Sequence, residues 1–124
     1  MYKGKETKVI LSEEAKEVYI KITDAVEKEL KKGINKSFHQ TLLRSIERVK
    51  ELLKENPFAG DQVKKRQIPP KYIIKYNINN IWRIELSDRW RLIYTITGNQ
   101  IGIIDFVLDI FNHRDYDKIF GYSH

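Results

Sequence analysis

Seven side chains in the second half of the sequence have types suited to anion binding and proton transfer: Arg83, Glu85, Arg91, His113, Arg114, Tyr116 and Tyr122. Arginine forks around phosphate oxygens and keeps its charge. Histidine, glutamate and tyrosine can each take or give a proton. Together they suit metal-free cleavage of RNA. The ribose 2′-hydroxyl attacks the adjacent phosphorus, and a base takes its proton. Cations stabilise the charge building on the phosphate, and an acid protonates the departing 5′-oxygen. Aromatic rings can hold splayed bases by stacking.

Plainer roles stay open for the same residues. Arg83 and Glu85, two apart on one strand face, also fit a surface charge ladder. Arg91 could pair with Asp105 or Asp109 in the interior, since buried charges need partners. His113 near a strand end could be structural. Tyr116, Phe120 and Tyr122 could cover an open end of the core.

The rest of the composition removes other chemistries. There is no cysteine, which excludes a disulfide scaffold, a thiolate zinc site and a cysteine nucleophile, and fits a reducing cytoplasm. Three histidines, one of them terminal, make a poor metal cage. No glycine-rich phosphate loop or zinc-type histidine pair occurs. Ser12, Ser37, Ser45, Ser87 and Ser123 read as cap, helix or turn residues. No cofactor is expected. The polar N-terminus lacks the apolar stretch of a signal peptide. The most apolar run, Ile101 to Phe111, is broken by Asp105 and Asp109 and falls short of the roughly 20 residues a spanning helix needs, so no membrane is expected.

These side chains need a scaffold. At 124 residues, 41% of them hydrophobic, the chain reads as one domain over residues 1–124. Val9-Ile10-Leu11 suggests a first strand. Ser12 is a good helix N-cap, with Glu13 and Glu14 in the first turn. Ala15, Val18, Tyr19, Ile22, Ala25, Val26 and Leu30 form a helical stripe ending at Gly33. Asn35 can cap a second helix with the stripe Phe38, Leu42, Ser45, Ile46, Val49 and Leu52 or Leu53, ended by Asn56-Pro57. The short link implies an antiparallel hairpin. A loop over residues 57–71 carries all three prolines.

A sheet is expected after that loop. Tyr72 to Tyr76 could be a strand, and Asn77 to Asn80 a turn. Ile81 to Leu86 alternates, with Trp82, Ile84 and Leu86 on one face and Arg83 and Glu85 on the other. Trp90 to Thr97 and Ile101 to Ile110 are further strands, the last one central, and Asn112 to His124 is a short tail. The class is therefore α+β: an αα-hairpin packed on a twisted antiparallel sheet.

The net charge of +6 is unevenly spread. Residues 61–91 carry a net +5, including Lys64, Lys65, Arg66, Lys71 and Lys75, whereas residues 92–124 carry a net −2. The basic stretch is a candidate RNA-binding surface, although Lys64-Lys65-Arg66 also reads as a solvated loop.

The order of these segments resembles the RelE/ParE toxin superfamily. Asn56-Pro57-Phe58-Ala59-Gly60 is similar to the element after that family's second helix. Ile81-Trp82-Arg83-Ile84-Glu85-Leu86 and Trp90-Arg91-Leu92-Ile93-Tyr94 resemble its paired strands, and His113-Arg114-Asp115-Tyr116 its tail. The resemblance implies a toxin–antitoxin function, with a small cognate antitoxin as partner. RelE-like members cleave mRNA on the ribosome without metal, and ParE-like members poison DNA gyrase. A third possibility is an inactive member kept as a partner-binding module.

Carried over by residue, Arg91 falls on the family's phosphate-binding arginine and Arg114 near its second one. His113 lies where some relatives place a histidine. RelE-like sites have a tyrosine six residues beyond that second arginine, and here the position is Phe120. The paired lysines of some members are replaced by Arg83 and Glu85. On this reading Arg91, Arg83 and Arg114 bind phosphate, His113 or Glu85 is the base, and Tyr116 or Tyr122 stacks or assists proton transfer.

Overall fold

A computed structural model describes residues 1–121. Its first strand, β1 (Glu6–Leu11), runs directly into the helix α1 (Glu13–Lys31). Ser12 makes that junction tight. Its hydroxyl accepts the Ala15 amide at 3.0 Å and donates to the Leu108 carbonyl at 2.7 Å, so one side chain caps the helix and ties it to the sheet. Gly33 takes the left-handed conformation expected of a helix stop, at φ 79°.

The second helix, α2 (Phe38–Glu55), is capped by Ser37 and not by Asn35. Ser37 accepts the Gln40 amide at 3.1 Å and donates to Glu29, which reaches across from α1. Gln40 bonds the Ile34 carbonyl at 2.8 Å. The cap is therefore chosen by a network spanning both helices, which propensity at Asn35 does not encode. Leu42, Ile46, Val49 and Leu53 are buried, and Leu52 points outward.

The sheet comprises β1, β2 (Asp61–Gln62), β3 (Trp82–Glu85), β4 (Arg91–Gly98) and β5 (Gly102–Phe111), in the spatial order β1-β5-β4-β3-β2. It is mostly antiparallel, with β1 parallel to β5. The register between β4 and β5 shifts at Ile93/Tyr94, with Leu108 as the extra residue of a bulge. One face of the sheet packs Leu92, Tyr94, Val107 and Ile110 against α1 and α2.

The opposite face is covered too. Tyr72 to Tyr76, expected as a strand, lies in the helix α3 (Pro70–Tyr76), and the expected tail is the helix α4 (His113–Phe120). The reason is local. Pro69 and Pro70 cannot donate to a ladder, and Pro70 presets the first helical turn. A strand would put Tyr72, Ile74 and Tyr76 on one face. In the structure Tyr72 is 1% exposed and Ile74 83% exposed, so the period is helical. Asn112 caps α4 by accepting the Asp115 amide at 2.9 Å. Tyr72, Tyr116 and Phe120 then pack on Ile93, Leu108 and Phe111 in a second core.

Two carboxylates fasten α3. Asp109 on β5 accepts the Tyr72 hydroxyl at 2.6 Å, with the Lys71 ammonium 3.9 Å away. Glu14 on α1 accepts the Tyr76 hydroxyl at 2.8 Å and pairs with Lys75. The Lys75 and Tyr76 hydrogen bonds hold the Glu14 carboxyl down, at about 2. A depressed folded pKa means the contact stabilises above the unfolded value of about 4.5 and is lost as pH falls towards 2. Both side chains are about half exposed, so the contribution is under about 1 kcal/mol. Glu14→Gln is accordingly expected to lower stability at pH 7 by less than about 1 kcal/mol and to weaken its fall between pH 4.5 and 2. Urea titration checks this, and a loss of several kcal/mol would mean that docking of α3 depends on this pair.

Among the described residues no helix is long and apolar enough to cross a membrane.

Candidate functional site

Strand alternation positions the first part of the site. Trp82, Ile84 and Leu86 pack towards the helical hairpin, so Arg83 and Glu85 project from the other face of β3. Glu85 pairs in register with Arg91 of β4. The turn between the strands holds Asp88 and Arg89 both in the left-handed region, at φ 53° and 61°. The Arg91 guanidinium donates to the Arg89 carbonyl at 2.6 Å and lies 3.2 Å from a Glu85 carboxylate oxygen. Among the described residues Arg91 pairs with Glu85, and not with Asp105 or Asp109 as the sequence also allowed. Asp105 occupies the helical-hairpin side of the sheet, opposite Val9 and Ile96, and Asp109 is taken up by Tyr72 and Lys71.

The first turns of α4 supply the second part. The Tyr116 ring has the Arg91 guanidinium carbon 5.4 Å from its centre and that of Arg83 at 5.8 Å. Arg83 also donates to the Tyr116 hydroxyl. One ring thus meets two cations through cation–π contact. Phe120, standing where the resemblance carries a tyrosine, stacks on Tyr116 at 4.5 Å and is 7% exposed. It is a core residue that holds the Tyr116 ring in place.

Arg83, Glu85, Arg91 and Tyr116 line a pocket of about 230 Å³ together with Asp61 and Asp117. Its formal charge is two guanidinium groups against three carboxylates, with Glu85 already paired to Arg91. The other candidates lie elsewhere. His113 is half-buried at the start of α4 and Arg114 is exposed, and neither lines the pocket. Lys64, Lys65 and Arg66 are exposed around a 3₁₀ turn. Lys71 and Lys75 on α3 are engaged with Asp109 and Glu14. Tyr122 lies outside the described residues.

Sequence reasoning missed Asp61 and Asp117. Asp117 follows Tyr116 directly, and Asp61 follows Gly60. Neither position carries a periodic signal, because β2 has two residues and α4 was not recognised as a helix. Among the described residues no three His, Cys, Asp or Glu side chains converge to hold a metal ion. A second groove of about 290 Å³, at the far end of the sheet around Lys8, Thr97, Asn99 and Ile101, brings in no arginine.

The Asn56–Gly60 element supports the site from behind. The Tyr94 hydroxyl donates to the Pro57 carbonyl at 3.0 Å and accepts the Gly60 amide at 3.0 Å. Gly60 passes so close to β3 that a Cβ there would lie 2.5 Å from the Arg83 carbonyl oxygen. The backbone that carries Arg83 is thereby located by Tyr94 and Gly60.

A helical hairpin on one face of a mostly antiparallel sheet, with an arginine pocket on the other, is consistent with the RelE/ParE-like toxin fold. Among solved structures the chain is similar to a YoeB/ParE toxin from Agrobacterium tumefaciens, with a TM-score of 0.55 and 15% identity, over 86% of this chain and 98% of that one. At that identity the likeness establishes the fold. No protein-family model and no curated protein matches the sequence.

Proposed function

We propose that this chain is the toxin of a type II toxin–antitoxin pair and cleaves mRNA on the ribosome in the RelE-like manner, in the cytoplasm and under control of a small antitoxin. The observation that carries the reading is the pair Arg83 and Arg91, both in contact with the Tyr116 ring in one pocket with Glu85. Two guanidinium groups at fixed spacing suit the extra charge of a pentacoordinate phosphorus.

The step balances with side chains present. The 2′-oxygen forms a bond to phosphorus as its proton passes to Glu85, and the bond from phosphorus to the 5′-oxygen breaks. Tyr116, whose oxygen accepts from Arg83, passes its hydroxyl proton to the departing 5′-oxygen. The products are a 2′,3′-cyclic phosphate and a 5′-hydroxyl. Arg114, exposed on α4, suits a flanking phosphate, and His113 beside it is a second candidate base. Lys64, Lys65 and Arg66 suit the ribosomal RNA or message backbone.

Primer extension on mRNA from a translating extract tests this. New 5′ ends inside codons are expected with the chain and ribosomes together. Arg91→Ala is expected to reduce them by about 10²–10³-fold while the protein stays folded. Full cleavage by the folded variant would sink the assignment of Arg91.

A non-hydrolytic, ParE-like action on DNA gyrase is the second reading. It is favoured by a pocket whose carboxylates outnumber its arginines and by the exposed position of Arg114. It predicts intact mRNA and blocked supercoiling.

A further inference from the structure

Ser45 is the polar member of an otherwise apolar helical stripe, and the cleavage chemistry does not use it. It stands among Leu42, Ile46 and Val49 on the buried face of α2 and is 2% exposed. Its hydroxyl donates to the Leu42 carbonyl at 2.8 Å and accepts the Ser87 amide at 3.2 Å, with the Ser87 hydroxyl 3.4 Å away. Ser87 begins the turn Ser87–Arg89 between β3 and β4. Phe38 lies two helical turns before Ser45, on the same side of α2. It meets the other end of that turn, its ring centre 6.0 Å from that of Trp90.

Between these two grips the backbone is strained. The Leu86 amide donates to the Trp90 carbonyl at 2.8 Å, and the Trp90 amide to the Ser87 carbonyl at 3.1 Å, which closes the loop. Asp88 and Arg89 both lie in the left-handed region, which disfavours residues with a Cβ. Such a conformation persists only where the surrounding structure over-determines it. Its result here is the direction of one carbonyl. The Arg89 oxygen accepts from the Arg91 guanidinium at 2.6 Å, in addition to the Glu85 contact at 3.2 Å. The two acceptors occupy part of the guanidinium donors and leave the rest for an anion.

We infer that Ser45 and Phe38 of α2 are positioning residues for Arg91: they grip the two ends of the left-handed turn, and the Arg89 carbonyl so aimed holds the guanidinium in place. Neither lines the pocket. Arginine has many rotamers, and fixing one before the anion arrives removes part of the cost of binding. The inference rests on the reading of Arg91 as a phosphate ligand and adds to it how that ligand is held.

The test follows the Arg91 Nε–H group of the full chain by ¹⁵N relaxation, with the signal assigned by its loss in Arg91→Ala. The same samples are titrated with inorganic phosphate. In wild type the order parameter should match rigid backbone, about 0.85, and in Ser45→Ala it should fall below about 0.6. Phe38→Ala, at a half-exposed position, should lower it by less. Phosphate should bind about two- to tenfold more weakly to Ser45→Ala. Ile103→Val thins the core at the far end of the sheet and should leave both readings unchanged, which separates positioning from general loss of stability. A mobile Arg91 in wild type would overturn the inference. So would an order parameter that neither α2 variant changes, or that Ile103→Val lowers as far as Ser45→Ala does. Loss of order in Ser45→Ala, with no phosphate binding by wild type, would uphold the clamp while the phosphate reading of Arg91 fell. Phosphate binding that needs Arg91 and ignores Ser45, with Arg91 ordered in every variant, would do the reverse.

Discussion

Replacing Asp105 by asparagine is expected to abolish most of the pH dependence of stability between pH 5 and pH 8. Asp105 is fully buried on β5, and neither carboxyl oxygen has a hydrogen-bond partner among the described residues. Its cross-strand neighbours are Val9 and Ile96, both apolar. The ionisable group near it is the Tyr94 phenol, itself pushed upward mainly by burial. Burial without a compensating cation raises the Asp105 carboxyl from 3.8 to about 8. In this case the folded pKa lies above the unfolded one. Between those values the native state holds a proton that the unfolded chain releases, so stability falls as pH rises through this window and levels off above about 8. The full displacement corresponds to at most about 6 kcal/mol, a large part of an ordinary domain's stability.

Asparagine keeps the shape and removes the ionisation. The variant should match wild type near pH 5 and exceed it by a few kcal/mol at pH 8.5. Urea unfolding at both pH values reads the difference directly. Parallel pH profiles for the two proteins would show that Asp105 is solvated or paired in solution.

Gly60→Ala is expected to cost about 2 kcal/mol or more and to reduce activity along with stability. The added methyl would stand 2.5 Å from the Arg83 carbonyl and 2.9 Å from the Tyr94 hydroxyl, so either β3 or the Asn56–Gly60 turn must move. The first atom is backbone and cannot swing away. Tyr94→Phe is the companion variant. It keeps the ring in the core but removes the bonds to Pro57 and Gly60, at a cost of about 1–2 kcal/mol. Thermal unfolding of both variants and nucleotide binding to them test the idea. If Gly60→Ala melts with wild type and binds nucleotide normally, the close approach does not constrain Arg83.

Much of the hairpin and of β3 was legible because the signal is contained in neighbouring residues. The stripe of α1, the cap at Ser12 and the stop at Gly33 each depend on a few adjacent positions. The alternation of Trp82, Ile84 and Leu86 put Arg83 and Glu85 on one face before any tertiary contact was known. Asn35 is the cap that local sequence suggests, but Ser37 takes the role because Glu29, eight residues upstream of Ser37, helps to select it.

The segment from Tyr72 to Tyr76 shows the opposite case. Five residues with apolar side chains at both two- and four-residue spacing fit a strand or a helix equally well. Docking on the sheet, fastened by Asp109 and Glu14, decides for the helix. The same docking logic makes the tail a helix and turns Phe120 into the partner of Tyr116.

By itself, then, the sequence determined the class of fold, the hairpin, the central strands and the face from which Arg83 and Glu85 project. Periodicity and capping are properties of contiguous residues, and they survive without a partner in view. Tertiary structure alone decided that β1 runs parallel to β5, that Tyr116 meets both arginines, that Asp61 and Asp117 complete the pocket and that Asp105 is buried without a hydrogen-bond partner among the described residues. Those arrangements depend on which distant elements meet and at what register, and a single chain read in order carries no local signal for either.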